Sequence, residues 1–147
     1  MTRQQNLLTI AIVTLSLLLT TCRKDISVPN PDLERLFGKW EWVQSYCGWS
    51  GPSSPATTGY SQTVEFNKNG IYKMYQDGKQ KEKRKFTLTE GNSIYTSGTA
   101  YLIEYTDTDL IKKQDYLTQS LTFRGQDTLC LNDEAYDACG YIYVRQK

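Results

Sequence analysis

Apolar and polar residues alternate along most of the chain after Gly38, and this period of two predicts β-strands. In the first such segment Trp40, Trp42, Gln44 and Tyr46 occupy alternate positions. The same pattern recurs to the C-terminus, and the 11 Tyr residues favour strands as well. The predicted strands cover about 40–47, 60–66, 71–76, 79–89, 100–106, 115–123, 128–131 and 140–146.

Short turn motifs separate these strands. Asn67-Lys68-Asn69-Gly70 is a strong hairpin signal, because Asn-Gly tolerates the positive φ angles that tight turns require. Asp77-Gly78 and Gly125-Gln126-Asp127 predict further turns, and a loop rich in Gly, Pro and Ser covers 50–59. About eight short strands in sequence indicate an up-and-down barrel or a small sandwich. We expect an all-β, up-and-down antiparallel barrel, which leaves no sheet edge exposed.

A short helical turn is expected before the first strand. Asn30 is a good helix cap and Pro31 suits the first helical position. Leu33, Leu36 and Phe37 would form the apolar side of this turn.

The N-terminus has the pattern of a secretory signal. Met1-Thr2-Arg3 is basic, the run from Leu7 to Leu19 is apolar, and Cys22 follows directly. This run is too short and too rich in Thr to span a bilayer comfortably. Cys22 resembles the lipidated cysteine of the bacterial lipoprotein lipobox, although Thr21 departs from the usual small residue. We expect a signal peptide at 1–21, a lipidated tether at 22–31 and a barrel domain at 32–147.

This pattern implies a protein of the cell envelope that is held on a membrane by acyl chains. Outer-membrane attachment is expected, and the choice between the periplasmic and the surface face stays open.

Composition narrows the possible functions. The first 21 residues contain one Arg and no acid, so 16 basic side chains balance 16 acidic ones in the rest. A neutral chain of this kind predicts no nucleic-acid partner. The absence of His removes the commonest general base and the commonest metal ligand. We expect no enzyme, no catalytic residue, no cofactor and no metal.

Several segments resemble known proteins. Gly38-Lys39-Trp40 at the start of the first strand is similar to the opening of lipocalins, and Arg145 stands where lipocalins place an Arg over that Trp. More closely, the chain resembles the small lipocalin-like lipoproteins of Bacteroidetes. This resemblance implies a lipocalin-like barrel whose plug is formed by Gly38, Trp40 and Arg145. The matching segments are GKWEWVQS at 38–45, FNKNGIY at 66–72, DTLCL at 127–131 and YDACGYIYVR at 136–145.

Alternate connections of an up-and-down barrel lie at the same end, so the sequence predicts two different ends. Connections 67–70, 90–99 and 124–127 would share the plugged end with Trp40. Connections 50–59, 77–78, 106–114 and 132–138 would surround an open mouth. The aromatic residues expected at this mouth as ligand contacts are Tyr46, Trp49, Tyr60, Tyr75, Tyr105 and Tyr136.

A filled barrel is the competing interpretation, because eight-stranded barrels range from packed to holding one small ligand. The residues that would fill the interior are Val64, Phe66, Tyr72, Met74, Phe86, Leu88, Leu121, Leu129, Leu131, Ile142 and Val144. The tyrosines would then lie on half-exposed faces without a ligand.

Charged residues are assigned to solvent and turns. Lys79, Lys81, Lys83 and Lys85 would form one solvated strand face, with Arg84 opposite. The acidic residues of the 132–138 loop, Asp133 among them, are interpreted as turn residues.

Three cysteines follow Cys22, and a disulfide is plausible outside the cytoplasm. If Trp40 lies opposite Arg145 on antiparallel strands, Cys47 faces position 138, next to Cys139. Cys47–Cys139 is the favoured pair, and Cys130–Cys139 across a hairpin is the alternative. All three cysteines are expected on outward faces.

The functional expectation is a lipid-anchored, monomeric binding protein for a small apolar or amphipathic ligand at the barrel mouth. The alternative is a structural or interaction lipoprotein of the envelope with a packed barrel and no small-molecule ligand.

Overall fold

A computed structural model describes residues 25–48, 50–106 and 118–147 of the protein. The predicted signal peptide, Cys22, Trp49 and the segment 107–117 lie outside the described residues. A 3-10 helix at Pro31–Leu36 precedes the strands, and a short helix, α1, spans Pro55–Thr58. The strands are β1 Gly38–Cys47, β2 Gly51–Ser53, β3 Gln62–Asn67, β4 Ile71–Gln76, β5 Lys79–Asn92, β6 Thr99–Thr106, β7 Thr118–Arg124, β8 Thr128–Asp133 and β9 Cys139–Arg145.

The strands form a closed antiparallel barrel with up-and-down order. From β3 to β9 each strand pairs with the next along the chain, and β1 pairs with both β3 and β9. β2 is an additional short strand that pairs with the end of β1. The predicted all-β, eight-stranded, lipocalin-like architecture is therefore confirmed, together with its N-terminal helical turn. β2 and α1 lie in the segment that was predicted to be an irregular loop.

The seam between β1 and β9 contains one shift of register. Trp40 lies opposite Arg145 and Trp42 opposite Tyr143, as the predicted alignment requires. The shift then falls between Trp42 and Gln44, so that Cys47 lies opposite Cys139 instead of position 138. A β-bulge of this kind inserts one extra residue into one strand.

The disulfide joins Cys47 to Cys139, the favoured pair, and Cys130 is a buried free thiol. The bond spans 92 residues of sequence. Cross-links of this kind typically stabilise a fold by about 2–4 kcal/mol, mainly by restricting the unfolded chain.

The pairing of β9 with β1 decides which side chains of β9 face the interior. Arg145 and Tyr143 lie opposite inward-facing tryptophans, so the inward positions of β9 are Tyr141, Tyr143 and Arg145. The expectation that Ile142 and Val144 fill the interior is therefore wrong, and Val144 is 37% exposed. Cys139 shares the parity of Tyr141, and Cys47 lies directly opposite Cys139, so the expected outward face of these two cysteines is wrong as well.

The plugged end has the predicted arrangement around Trp40. The Trp40 ring is fully buried, and its Nε1 donates a hydrogen bond of 2.8 Å to the Leu36 carbonyl. The Arg145 guanidinium carbon lies 4.1 Å from the centre of the Trp40 ring, a cation–π geometry. Arg145 also donates hydrogen bonds to the carbonyl oxygens of Phe37 and Arg35. The 3-10 helix is thereby fixed across the end of the barrel, with Leu33 and Leu36 in the core.

Gly38 allows this close approach. Its φ of +126° lies in a region that favours glycine, and a β-carbon there would come within 3.2 Å of Arg145 Nη1.

The connection between β5 and β6 does not stay with the plugged end as predicted. Ser93 Oγ donates a 2.7 Å hydrogen bond to Glu134, and the Ile94 N–H donates to the same carboxylate. The Tyr95 hydroxyl donates to the carbonyl oxygens of Asp133 and Ala135. These contacts join it to the 132–138 loop, which was predicted at the opposite end. The Glu134 carboxylate contributes to this contact, because it satisfies a backbone donor of the connection.

Replacing Gly38 by Ala is expected to lower the free energy of unfolding by about 1–3 kcal/mol, since the new side chain is strained and crowds Arg145. Urea denaturation measures the change. Gly98→Ala is the matched control, because nothing lies within 4 Å of a β-carbon at Gly98. Equal midpoints for the two variants would show that the plug does not require glycine.

Candidate functional site

A cavity of about 250 Å³ lies inside the barrel, away from the Trp40 plug. Most of its lining residues lie in the halves of their strands that are nearest to the predicted mouth. They are Gln62, Tyr72, Met74, Glu82, Arg84, Tyr105, Gln119, Asp133, Tyr141 and Tyr143.

Strand alternation continues the apolar core into this cavity. Gln62 precedes the core residue Val64 by two positions on β3, and Asp133 follows Leu131 by two on β8. On β5, Arg84 precedes the core residue Phe86 by two positions. The interior therefore changes from apolar to polar along each of these strands.

Asp133 is at the centre of a hydrogen-bond network on one wall. Its carboxylate accepts from Gln119 Nε2 at 2.7 Å, from the Tyr141 hydroxyl at 3.3 Å and from the Cys139 N–H at 3.4 Å. The Tyr105 hydroxyl donates to Gln119 Oε1 at 2.8 Å, which extends the network across β6. Burial raises the pKa of Asp133, and these three hydrogen bonds oppose that rise.

The opposite charges of Glu82 and Arg84 meet on β5. Arg84 Nη2 forms an ion pair with Glu82 Oε1, and both side chains are largely removed from solvent. The Arg84 guanidinium carbon also lies 5.9 Å from the centre of the Tyr105 ring. This cation is therefore already engaged by a carboxylate and by an aromatic ring.

Four tyrosines contribute aromatic surface. The rings of Tyr72 and Tyr105 meet edge to face with centres 5.2 Å apart, and those of Tyr141 and Tyr143 stack at 6.4 Å. Burial is the main cause that raises the pKa of Tyr72, Tyr105 and Tyr143 well above 10. These three phenols are therefore neutral at physiological pH.

Among the predicted mouth aromatics that the structure describes, only Tyr105 lines the cavity. Tyr60 stacks on Trp42 at 5.7 Å, and the Tyr75 hydroxyl donates to Glu65. Tyr46 lies over Gly140 after the bulge has turned it out of the interior, and Tyr136 is 87% exposed. These four aromatics therefore lie outside the cavity lining.

The sequence interpretation missed the polar residues of the site. Asp133 was assigned to a turn and Arg84 to the side opposite a lysine face. Their parity with Leu131 and Phe86 was the available signal, because residues two apart on a strand share a face. The parity of Tyr141 and Tyr143 with Arg145 was a similar signal.

The arrangement can bind a ligand through ring faces, hydroxyl and amide groups, and one carboxylate. Across residues 25–48, 50–106 and 118–147, no group of three or more His, Cys, Asp or Glu is placed to hold a metal ion.

Comparisons with protein-family models, curated proteins and solved structures find no match for this chain.

The buried phenols predict a distinct alkaline titration. Tyr72, Tyr105 and Tyr143 should stay protonated in the folded state while the same residues ionise near pH 10 in the unfolded chain. These phenols therefore make their full contribution to the free energy of unfolding below about pH 10, and that contribution decreases as the pH rises further. Absorbance at 295 nm should show a late step that coincides with unfolding, and Tyr143→Phe should reduce its amplitude. Ionisation of every tyrosine before any loss of fold would contradict this burial.

Proposed function

We propose that this protein is a lipid-anchored binding protein of the bacterial cell envelope that holds a small amphipathic molecule inside its barrel. The observation that carries the proposal is the interior cavity. Its volume is about 250 Å³, just below the ~300–1,000 Å³ of pockets for drug-sized ligands. Its walls combine tyrosine and methionine surface with polar groups, so an amphipathic ligand fits better than a purely apolar one.

The packed-barrel alternative agrees less well with this interior. A structural lipoprotein without a ligand would need inward side chains that meet across the whole barrel. Close packing is found around Trp40, Phe66 and Phe86, where these side chains are almost fully buried. The cavity leaves the remainder of the barrel available to a ligand.

A relationship to the lipocalin-like lipoproteins of Bacteroidetes is part of this proposal. The contact between Trp40 and Arg145 supports it, because the resemblance implied that pair from the sequence. The basic start, the apolar run and Cys22 support export and lipidation.

The start of the described chain suggests how the barrel is oriented. The Ile26 N–H donates a 2.8 Å hydrogen bond to the Lys68 carbonyl, in the turn between β3 and β4 at the plugged end. Cys22 precedes Ile26 by four residues, a reach of at most about 14 Å. A lipidated Cys22 would therefore hold the plugged end towards the membrane and leave the cavity end facing away.

Ligand binding is tested with full-length protein that is purified from its native membranes. Solvent extraction and mass spectrometry should find a small amphipathic molecule in stoichiometric amount. Met74→Trp should fill the cavity and reduce the bound amount at least about tenfold. Lys73→Trp is the matched control, because it adds the same ring at the neighbouring position, which faces outward, and it should retain the ligand. A wild-type protein without ligand, or equal retention by both variants, would contradict the proposal.

Replacing Cys22 by Ala should abolish labelling by a fatty-acid analogue and move the protein out of the membrane fraction, since acyl chains provide its attachment.

The orientation of the barrel on the membrane is measured with one fluorophore at position 68 and, separately, at position 78 in the turn between β4 and β5. A quencher in the lipid headgroups should act more strongly at position 68. Stronger quenching at position 78 would reverse the orientation, and unchanged membrane attachment of Cys22→Ala would rule out the anchor.

A further inference from the structure

The charges around the cavity do not balance. Glu82 and Arg84 neutralise each other in their ion pair. Asp133 is only 6% exposed, and it forms no ion pair with any other residue that the structure describes. Its hydrogen-bond partners Gln119, Tyr141 and the Cys139 N–H are all neutral groups. The lining therefore carries one carboxylate charge that lacks a cationic partner among the described residues.

A buried carboxylate of this kind favours a cation. Removing an ionised carboxylate from water is costly unless it is paired, and burial raises the pKa of Asp133 accordingly. A positively charged ligand next to Asp133 would supply the missing charge. An anionic ligand would instead place a second negative charge in the same cavity, where Arg84 is already engaged by Glu82.

The aromatic walls point the same way. The faces of aromatic rings attract ammonium groups when the ring centre lies within about 6 Å, and this attraction is stronger in sites removed from water. Tyr72, Tyr105, Tyr141 and Tyr143 all line the cavity. Rings and a single carboxylate suit an organic cation, whereas a metal ion needs several ligating oxygen, nitrogen or sulfur atoms.

We propose that the cavity binds a small organic ammonium ion, with Asp133 as its counter-charge and the four tyrosine rings as its walls. This assignment rests on the proposed binding function and names the chemical class of the ligand. A volume of about 250 Å³ accommodates roughly eight non-hydrogen atoms, if each takes up about as much space as a water molecule, ~30 Å³.

Three probes of nearly equal size and different charge test the assignment. Benzylammonium is positive, benzyl alcohol is neutral and benzoate is negative at pH 7. Calorimetric titration of the full-length protein in detergent should give the tightest binding for benzylammonium, at least about tenfold tighter than for benzyl alcohol, and the weakest for benzoate. Equal or tighter binding of benzoate would overturn the assignment.

Asp133→Asn should abolish the preference for benzylammonium over benzyl alcohol. The ratio of the two affinities is the informative quantity, because a folding defect would weaken both probes together. Glu104→Gln is the matched control, since it removes an exposed carboxylate of β6 with the same change in net charge, and it should leave the ratio unchanged. An unchanged ratio in Asp133→Asn would overturn the role of this carboxylate.

The rings are tested separately at Tyr72. Tyr72→Phe keeps the ring and should retain the preference for the cation, whereas Tyr72→Leu should reduce it severalfold. Equal ratios in these two variants would overturn the role of the ring.

The outcomes also separate this inference from the proposed function. If benzyl alcohol or benzoate binds in the cavity and benzylammonium does not, the ammonium assignment fails while small-molecule binding stands. If no probe binds, the ammonium assignment fails, and the extraction of native ligand then decides whether the binding function fails with it.

Discussion

The contact between Trp40 and Arg145 is the interaction on which the rest of the structure depends. It joins the first strand of the barrel to the last, and it places a guanidinium over a fully buried indole ring. The Trp40 N–H is satisfied by the Leu36 carbonyl, so burial of this large side chain does not leave its own donor without a partner. Gly38 provides the space, and the carbonyl oxygens of Phe37 and Arg35 accept hydrogen bonds from Arg145 Nη1 and Nη2.

The interior of the cavity follows from this alignment. Because Arg145 faces inward opposite Trp40, Tyr143 and Tyr141 must face inward as well, and both line the cavity. The bulge after Trp42 then shifts the seam by one residue, which brings Cys47 opposite Cys139. The same shift turns Tyr46 out of the interior. The disulfide and the cavity wall are therefore consequences of one seam, fixed at one end by a cation–π contact and at the other by a covalent bond.

Much of the fold could be predicted from the sequence, because local signals set it. The Asn-Gly and Asp-Gly turns locate hairpins, and β4 has the predicted bounds Ile71–Gln76. The bulge between Trp42 and Gln44 could not be predicted, since both registers give plausible alternation along β1. The residues of the site were harder to predict from the sequence than the fold. Asp133 and Glu134 are adjacent acids of one segment, yet one lines the cavity and the other binds the connection from β5 to β6. That division depends on contacts between segments that are distant in sequence.

β1 and β9 close the barrel in two registers separated by one bulge. Nuclear Overhauser contacts between backbone protons of the two strands measure this directly. We expect contacts that pair Trp40 with Arg145 and Trp42 with Tyr143, together with contacts that pair Gln44 with Ile142 and Tyr46 with Gly140. A single register throughout, with Gln44 paired to Tyr141, or the absence of all contacts between β1 and β9, would contradict it.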